Sequence, residues 1–172
     1  NWIGPGLDSI YTPKEGSSRV VTQFLGHIVR GEPINLVDGG EQKRAFTYID
    51  DGIDALMRII ANEGDIANGK IYNIGNPANN HSVRDLANQM LAIARSIPEY
   101  AKTAGQVKIV ETTSGAYYGV GYQDVQNRVP AIDNTMSELG WKPSTTMSDA
   151  LKHIFEAYRH DVEKARHLMD QE

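Results

Sequence analysis

The sequence predicts a mixed α/β domain with too few strands to complete a doubly wound sheet, and three observations lead there. Amphipathic runs at helical spacing alternate with short β-rich runs. Their order is helix, strand, strand, helix, strand, helix, strand, helix, helix, which points to part of a larger sheet lying outside this chain. The 172 residues, 40% of them apolar, are enough for one domain with a real core.

Residues 1–16 carry Gly4, Pro5, Gly6, Pro13 and Gly16 with no apolar period, which is loop chemistry. Ser17 or Ser18 then caps a helix in which Val21, Phe24, Leu25, Ile28 and Val29 share a face, and Gly31 with Pro33 ends it. Ile34 to Val37 is a short strand closed by the Asp38-Gly39-Gly40 turn, and Ala45 to Ile49 alternates as a second strand. Asp50 or Asp51 caps a helix striped by Ile53, Leu56, Met57 and Ile60. Lys70 to Ile74 is a strand stopped by Gly75-Asn76-Pro77. Ser82 with Asp85 makes a capping box for a helix carrying Val83, Leu86, Met90 and Leu91, which Pro98 ends. Val107 to Glu111 is a strand, and Thr112 to Arg128, rich in glycine and tyrosine without period, is a long ordered loop of the kind that serves function. Asp133 to Leu139 forms a short helix stopped by Gly140. Ser148 caps a last helix striped by Leu151, Ile154, Phe155, Tyr158 and Val162, and the tail over 165–172 frays.

The net charge of −5 speaks against a nucleic-acid surface, so an anionic ligand needs a few placed arginines. Cysteine is absent, which removes disulfides and thiolate metal sites. No apolar run approaches a membrane span and residues 1–6 do not resemble a signal peptide, so the expectation is a soluble, cytoplasmic protein without a membrane partner.

The usual marks of catalysis are missing. Gly119-Val120-Gly121-Tyr122-Gln123-Asp124 approaches a dinucleotide fingerprint but has aspartate at the third glycine and precedes no amphipathic helix. No tyrosine has lysine four residues on, and no Walker loop is present. His153, His160 and His167 recur every seven residues on one helix face, two turns apart, which suits a solvated face better than a metal; His27 and His81 are isolated. Arg19 opposes the dipole in the first turn of its helix, Arg44 precedes a buried strand, and Arg128 ends the glycine-tyrosine loop. Planar guanidinium forks match phosphate oxygens in pairs, so these arginines would make a diphosphate clamp if gathered; the alternative is that each forms an ordinary surface ion pair.

The segment Gly39 to Asp51, with its Gly-x-x-x-Arg-x-Phe-x-x-x-Asp pattern, Asn1-Trp2-Ile3-Gly4-Pro5, and Tyr72-Asn73-Ile74-Gly75-Asn76 together resemble the C-terminal part of extended short-chain dehydrogenase/reductases that act on nucleotide sugars. Gly16-Ser17-Ser18-Arg19, Gln42-Lys43-Arg44 and Tyr122-Gln123-Asp124-Val125-Gln126-Asn127-Arg128 narrow the resemblance to NAD-dependent UDP-glucuronic acid decarboxylases of the aminoarabinose lipid A pathway. It covers Asn1 to about Tyr158.

The resemblance implies that 1–172 is a substrate-binding C-terminal lobe, that a Rossmann half holding NAD and the Tyr/Lys pair lies outside the chain, and that the intact enzyme is a homo-oligomer. It implies substrate contacts at Asn1, Arg19, Asn35, Arg44 and Tyr122, with Arg128 as the catalytic residue near sugar or phosphate. Asn35 stands where close relatives carry a substrate-contacting lysine, which loosens the substrate assignment. The implied activity is oxidative decarboxylation of UDP-glucuronic acid to a UDP-4-keto-pentose. A UDP-xylose synthase, another nucleotide-sugar 4-epimerase or dehydratase, and a non-catalytic sugar-nucleotide binding module remain as alternatives. If Arg44 and Arg128 hold one ligand, their guanidinium groups belong on opposite sides of a single cleft.

Overall fold

In the computed structural model, residues 1–11, 18–117, 119 and 125–169 are described. Helices supply most of the core. Helix α1 (Val20–Arg30) buries Val21, Phe24, Leu25, Ile28 and Val29, and stops where Gly31 turns left-handed at φ 73°. Its N-cap is Arg19, with no side-chain cap of its own; the carboxylate of Asp8 accepts the Arg19 N–H and the Thr22 hydroxyl instead. The anion that this first turn lacks therefore arrives from eleven residues upstream.

Strand β1 (Trp2–Ile3) comes before α1, and β2 (Ile34–Val37) follows it. The expected strand Ala45 to Ile49 is divided: β3 (Lys43–Ala45) and β4 (Thr47–Tyr48) flank Phe46, and Ile49 already belongs to α2 (Ile49–Ala61). Both faces are buried from Ala45 to Tyr48, so the alternation in the sequence does not report one solvated side. Asp51 does not cap α2. Its carboxylate accepts from the N–H and hydroxyl of Ser144 and the N–H of Thr145, while its carbonyl accepts from the Trp141 indole at 2.9 Å.

Strand β5 (Asn80–Ser82) leads into α3 (Val83–Ser96), whose capping box between Ser82 and Asp85 is formed in both directions. Pro98 does more than end α3, because it is the first residue of α4 (Pro98–Ala104), where its missing N–H costs nothing. Tyr100 on α4 packs edge-on against Phe155 at 5.0 Å and donates its hydroxyl to the Phe155 carbonyl. After β6 (Ile109–Thr112) the glycine-tyrosine loop holds α5 (Ser114–Tyr117) and β7 (Asn127–Arg128), and α6 (Asp133–Leu139) follows.

Thr146, not Ser148, caps α7 (Met147–Tyr158). A 3-10 turn at Arg159–Asp161 separates it from α8 (Val162–Met169), so the single last helix of the sequence reading is two, and the histidine heptad loses its common face. Of the tail expected to fray, residues 165–169 are helical, with Val162 and Ala165 buried and Arg166 donating to the carbonyls of Val29 and Glu99, and residues 170–172 lie outside the described residues. Lys70 to Ile74, expected as a strand, joins no ladder. Side chains serve it instead: the Thr135 hydroxyl bonds the Asn73 carbonyl, the Asn73 amide bonds the Ala131 carbonyl, and Tyr72 reaches Glu138.

Three small sheets result among the described residues: β1 with β4, parallel; β2 with β6, parallel; and β5-β3-β7, antiparallel then parallel. The main core joins α1, α3, α4, α7 and α8 with Ile34, Leu36, Phe46 and Tyr48, and a smaller one gathers Ala55, Ile132, Leu139 and Trp141. The stripe expected to bury α2 faces outward, with Ile53 46%, Met57 56% and Ile60 72% exposed. Among the described residues no helix is long and apolar enough to cross a membrane.

Candidate functional site

A cleft of about 340 Å³ opens where β4, the 73–75 segment and β7 meet, lined by Asn1, Ala45, Thr47, Asn73, Ile74, Gly75 and Arg128 through Ala131. Its floor needs a glycine: a Cβ at Gly75 would stand 2.4 Å from Pro130 Cγ. Thr47 accepts the Asn76 N–H through its hydroxyl, and Asn73 is pinned to Ala131, so two polar wall residues have fixed orientations.

Arg128 lies on β7 directly beside Arg44 on β3, since the two are Cα partners in the parallel ladder. Paired residues in a ladder present their side chains on the same face. The arrangement thus differs from the expected one: the two arginines stand side by side and do not oppose each other across the cleft. One Nη of Arg44 donates to the carbonyls of Lys43 at 2.8 Å and Val125 at 2.6 Å, which ties the end of the glycine-tyrosine loop to β3.

Arg19, at the N-cap of α1, is not among the residues that line the cleft. Its guanidinium is paired with Asp8 and also donates to the Leu7 carbonyl. The backbone nitrogen of Asn1 lies 3.5 Å from the Ala45 carbonyl, at the edge of the cleft.

The other candidates separate. Asn35 is exposed on β2, paired with exposed Val110 of β6, in a sheet apart from the cleft wall. Tyr122 lies outside the described residues. Thr47 and Asn73 were not singled out by sequence reasoning, although Asn73 stands inside the Tyr72-Asn73-Ile74-Gly75-Asn76 phrase and Thr47 inside the Arg44 segment. Spacing carried no sign of them, because their place in the wall depends on backbone that comes together only in the fold.

Residues 1–75 match the model of the NAD dependent epimerase/dehydratase family. Among solved structures, the PbgP3 protein from Burkholderia pseudomallei is 67% identical, with a TM-score of 0.81 over 98% of this chain and 46% of that one. A UDP-glucose 4-epimerase from Thermotoga maritima, solved with UDP-glucose, is 23% identical with a TM-score of 0.66 over 94% of this chain and 44% of that one. A UDP-glucuronic acid 4-epimerase mutant from Bacillus cereus, in complex with UDP-4-deoxy-4-fluoro-glucuronic acid and NAD, is 17% identical with a TM-score of 0.66 over 94% and 43%. These last two likenesses show the fold. The chain spans less than half the length of each of these solved chains. On the family match over residues 1–75 and the 67% identity to PbgP3, the chain is similar to the NAD dependent epimerase/dehydratase family and has the fold of the C-terminal part of its extended short-chain dehydrogenase/reductases.

Proposed function

We propose that this chain is the UDP-sugar-binding half of an NAD-dependent UDP-glucuronic acid decarboxylase that gives a UDP-4-keto-pentose. The observation that carries the reading is the ladder pairing of Arg44 with Arg128 beside the Asn1 cleft, in a chain of net charge −5. Two adjacent guanidinium forks suit a diphosphate and a neighbouring sugar carboxylate. Asn1, Arg19, Arg44 and Tyr122 are the proposed substrate contacts, and Asn35, on a sheet apart from the cleft, is left out.

We assign NAD, which when bound would supply the oxidation at C4 of the sugar, to a Rossmann half outside this chain, as the resemblance to extended short-chain dehydrogenase/reductases implies.

What this chain contributes is the step after oxidation. In the 4-keto sugar the C6 carboxylate is β to the ketone, so the C5–C6 bond breaks, CO2 leaves, and the bonding pair forms a C4–C5 enolate. Arg128 holds the carboxylate beforehand and the enolate oxygen afterwards; its guanidinium keeps its proton too firmly to act as the acid that protonates C5. Asn73, on the cleft wall with its amide held by the Ala131 carbonyl, is placed to meet a sugar hydroxyl.

The partner half has a surface to meet. A two-stranded parallel sheet is a fragment by the ordinary rules of sheets, since parallel strands are covered on both faces. The outer edge of β1 carries no ladder among the described residues, and the apolar face of α2 lies exposed on the adjoining helix. Another parallel strand and its apolar cover would complete both.

The test is to give NAD and UDP-glucuronic acid to the protein as encoded by its own gene. NADH with CO2 and a keto-pentose supports the decarboxylase. CO2 without net NADH makes it a xylose synthase, epimerised sugar without CO2 a 4-epimerase, and UDP-sugar binding without turnover a binding module.

A further inference from the structure

The extended segment 70–74 joins no ladder, so side chains decide where it lies. Tyr72 and Ile74 pack against the smaller core of Ala55, Ile132, Leu139 and Trp141. Alternate residues of an extended chain point to opposite sides, and Asn73, between those two, lines the cleft. Two bonds hold it there. Its amide nitrogen donates to the Ala131 carbonyl at 3.1 Å, and its backbone carbonyl accepts from the Thr135 hydroxyl at 2.7 Å.

The first bond fixes which way the amide faces. A carbonyl oxygen needs a donor, so Nδ2 stands toward Ala131 and Oδ1 is turned away from it. No described residue donates to Oδ1, which makes it an open acceptor on the cleft wall. An acceptor of this kind takes a hydroxyl. Ionised carboxylates and phosphates bring only lone pairs and gain nothing from it.

The second bond comes from behind the wall. Thr135, in the first turn of α6, is 1% exposed and does not line the cleft. Its hydroxyl reaches the one backbone carbonyl whose displacement would carry the Asn73 amide with it. We propose that Asn73 selects a hydroxyl of the sugar ring through Oδ1, and that Thr135 is the positioning residue that holds this acceptor in place. This rests on the sugar-nucleotide reading above and deepens it, since it assigns the neutral ring of the ligand, and neither its diphosphate nor its carboxylate, to the 73–75 wall. A bond from Thr135 that served stability alone would, when lost, weaken every ligand by the same factor.

The experiment is calorimetric titration, without added NAD, of the protein as encoded by its own gene. The probes are UDP-glucuronic acid and three analogues in which fluorine replaces the ring hydroxyl at C2, C3 or C4. Fluorine fills much of the space of the hydroxyl and cannot donate. Wild type should bind one analogue about fivefold more weakly than the parent, the effect of one neutral hydrogen bond. Asn73→Ala should bind that analogue and the parent equally. Thr135→Val, which keeps the shape and loses the donor, should narrow the gap to about twofold, and Thr135→Ser should restore it. No weakened analogue in wild type, or an unchanged gap in Asn73→Ala, would overturn the selection by Asn73 while leaving the sugar-nucleotide site intact. A wild-type gap in Thr135→Val would remove Thr135 from the positioning role. Absence of UDP-glucuronic acid binding by wild type would remove the proposed function and this inference with it. Thermal unfolding checks that each variant is folded; Asn73 is exposed, so Asn73→Ala carries the test even where Thr135→Val does not fold.

Discussion

In the proposed function Arg128 and Arg44 have different roles, and substitution separates them. Arg128→Lys keeps the charge and loses the fork, so turnover of UDP-glucuronic acid should fall about 100-fold with a much smaller rise in KM. Near-full turnover by Arg128→Lys would remove the bidentate clamp. Arg44→Ala should instead weaken UDP-sugar binding about tenfold or more, because a charged contact to phosphate is lost. Both positions were legible as residue types in a familiar pattern; their adjacency was not, because the ladder that joins 44 to 128 closes over about half of the chain. Asp51 shows the same limit. As a sequence it stands where a helix cap would, yet it is 8% exposed and holds three donors of the 144–145 turn. Asp51→Ala should cost about 2–3 kcal/mol in urea unfolding, because buried donors lose their acceptor.

At the scale of elements, the α3 capping box was readable because its signal is local: Ser82 and Asp85 act three residues apart. Ser82→Ala should cost about 1 kcal/mol in the same unfolding assay. Its pH dependence has a definite sign. Asp85 is lowered in the folded protein, mainly by Ser82, so its contribution is fully present above the carboxylate range and is lost as pH falls below about 4. The Ser82→Ala protein should therefore lose less stability than wild type on acidification through that range. Strand limits were read less well. Periodicity cannot tell a half-buried strand from the doubly buried stretch Ala45–Tyr48, nor an extended segment held by side chains, as at 70–74, from one in a ladder. The stripe on α2 was read correctly as apolar, but a pattern states that a face wants cover and not where that cover lies.

For the whole molecule, the exposed α2 stripe is where the proposed function places the partner half. Met57→Asp with Ile60→Asp should leave the helix content of the complete protein intact by circular dichroism. In thermal unfolding, its single transition should divide into two as the halves lose their shared interface. One transition at the wild-type temperature would show that this face docks nothing. The fold class was legible because few strands among many helices is a whole-chain property that no single boundary error disturbs.

The Tyr158 hydroxyl accepts the Gly6 N–H at 2.6 Å and donates to the Asp8 carbonyl, so one oxygen on α7 ties down the loop that leaves β1. These bonds close over 152 and 150 residues. During synthesis at about 5–20 residues per second, that loop leaves the ribosome roughly 8–30 s before the tyrosine that fixes it. Asp8, and with it the anion at the start of α1, must wait as long for its final position. Tyr158→Phe should leave the core helices folding at their own rate while slowing the final step that orders residues 1–8, a lag visible as late protection of the Gly6 amide in pulsed hydrogen exchange.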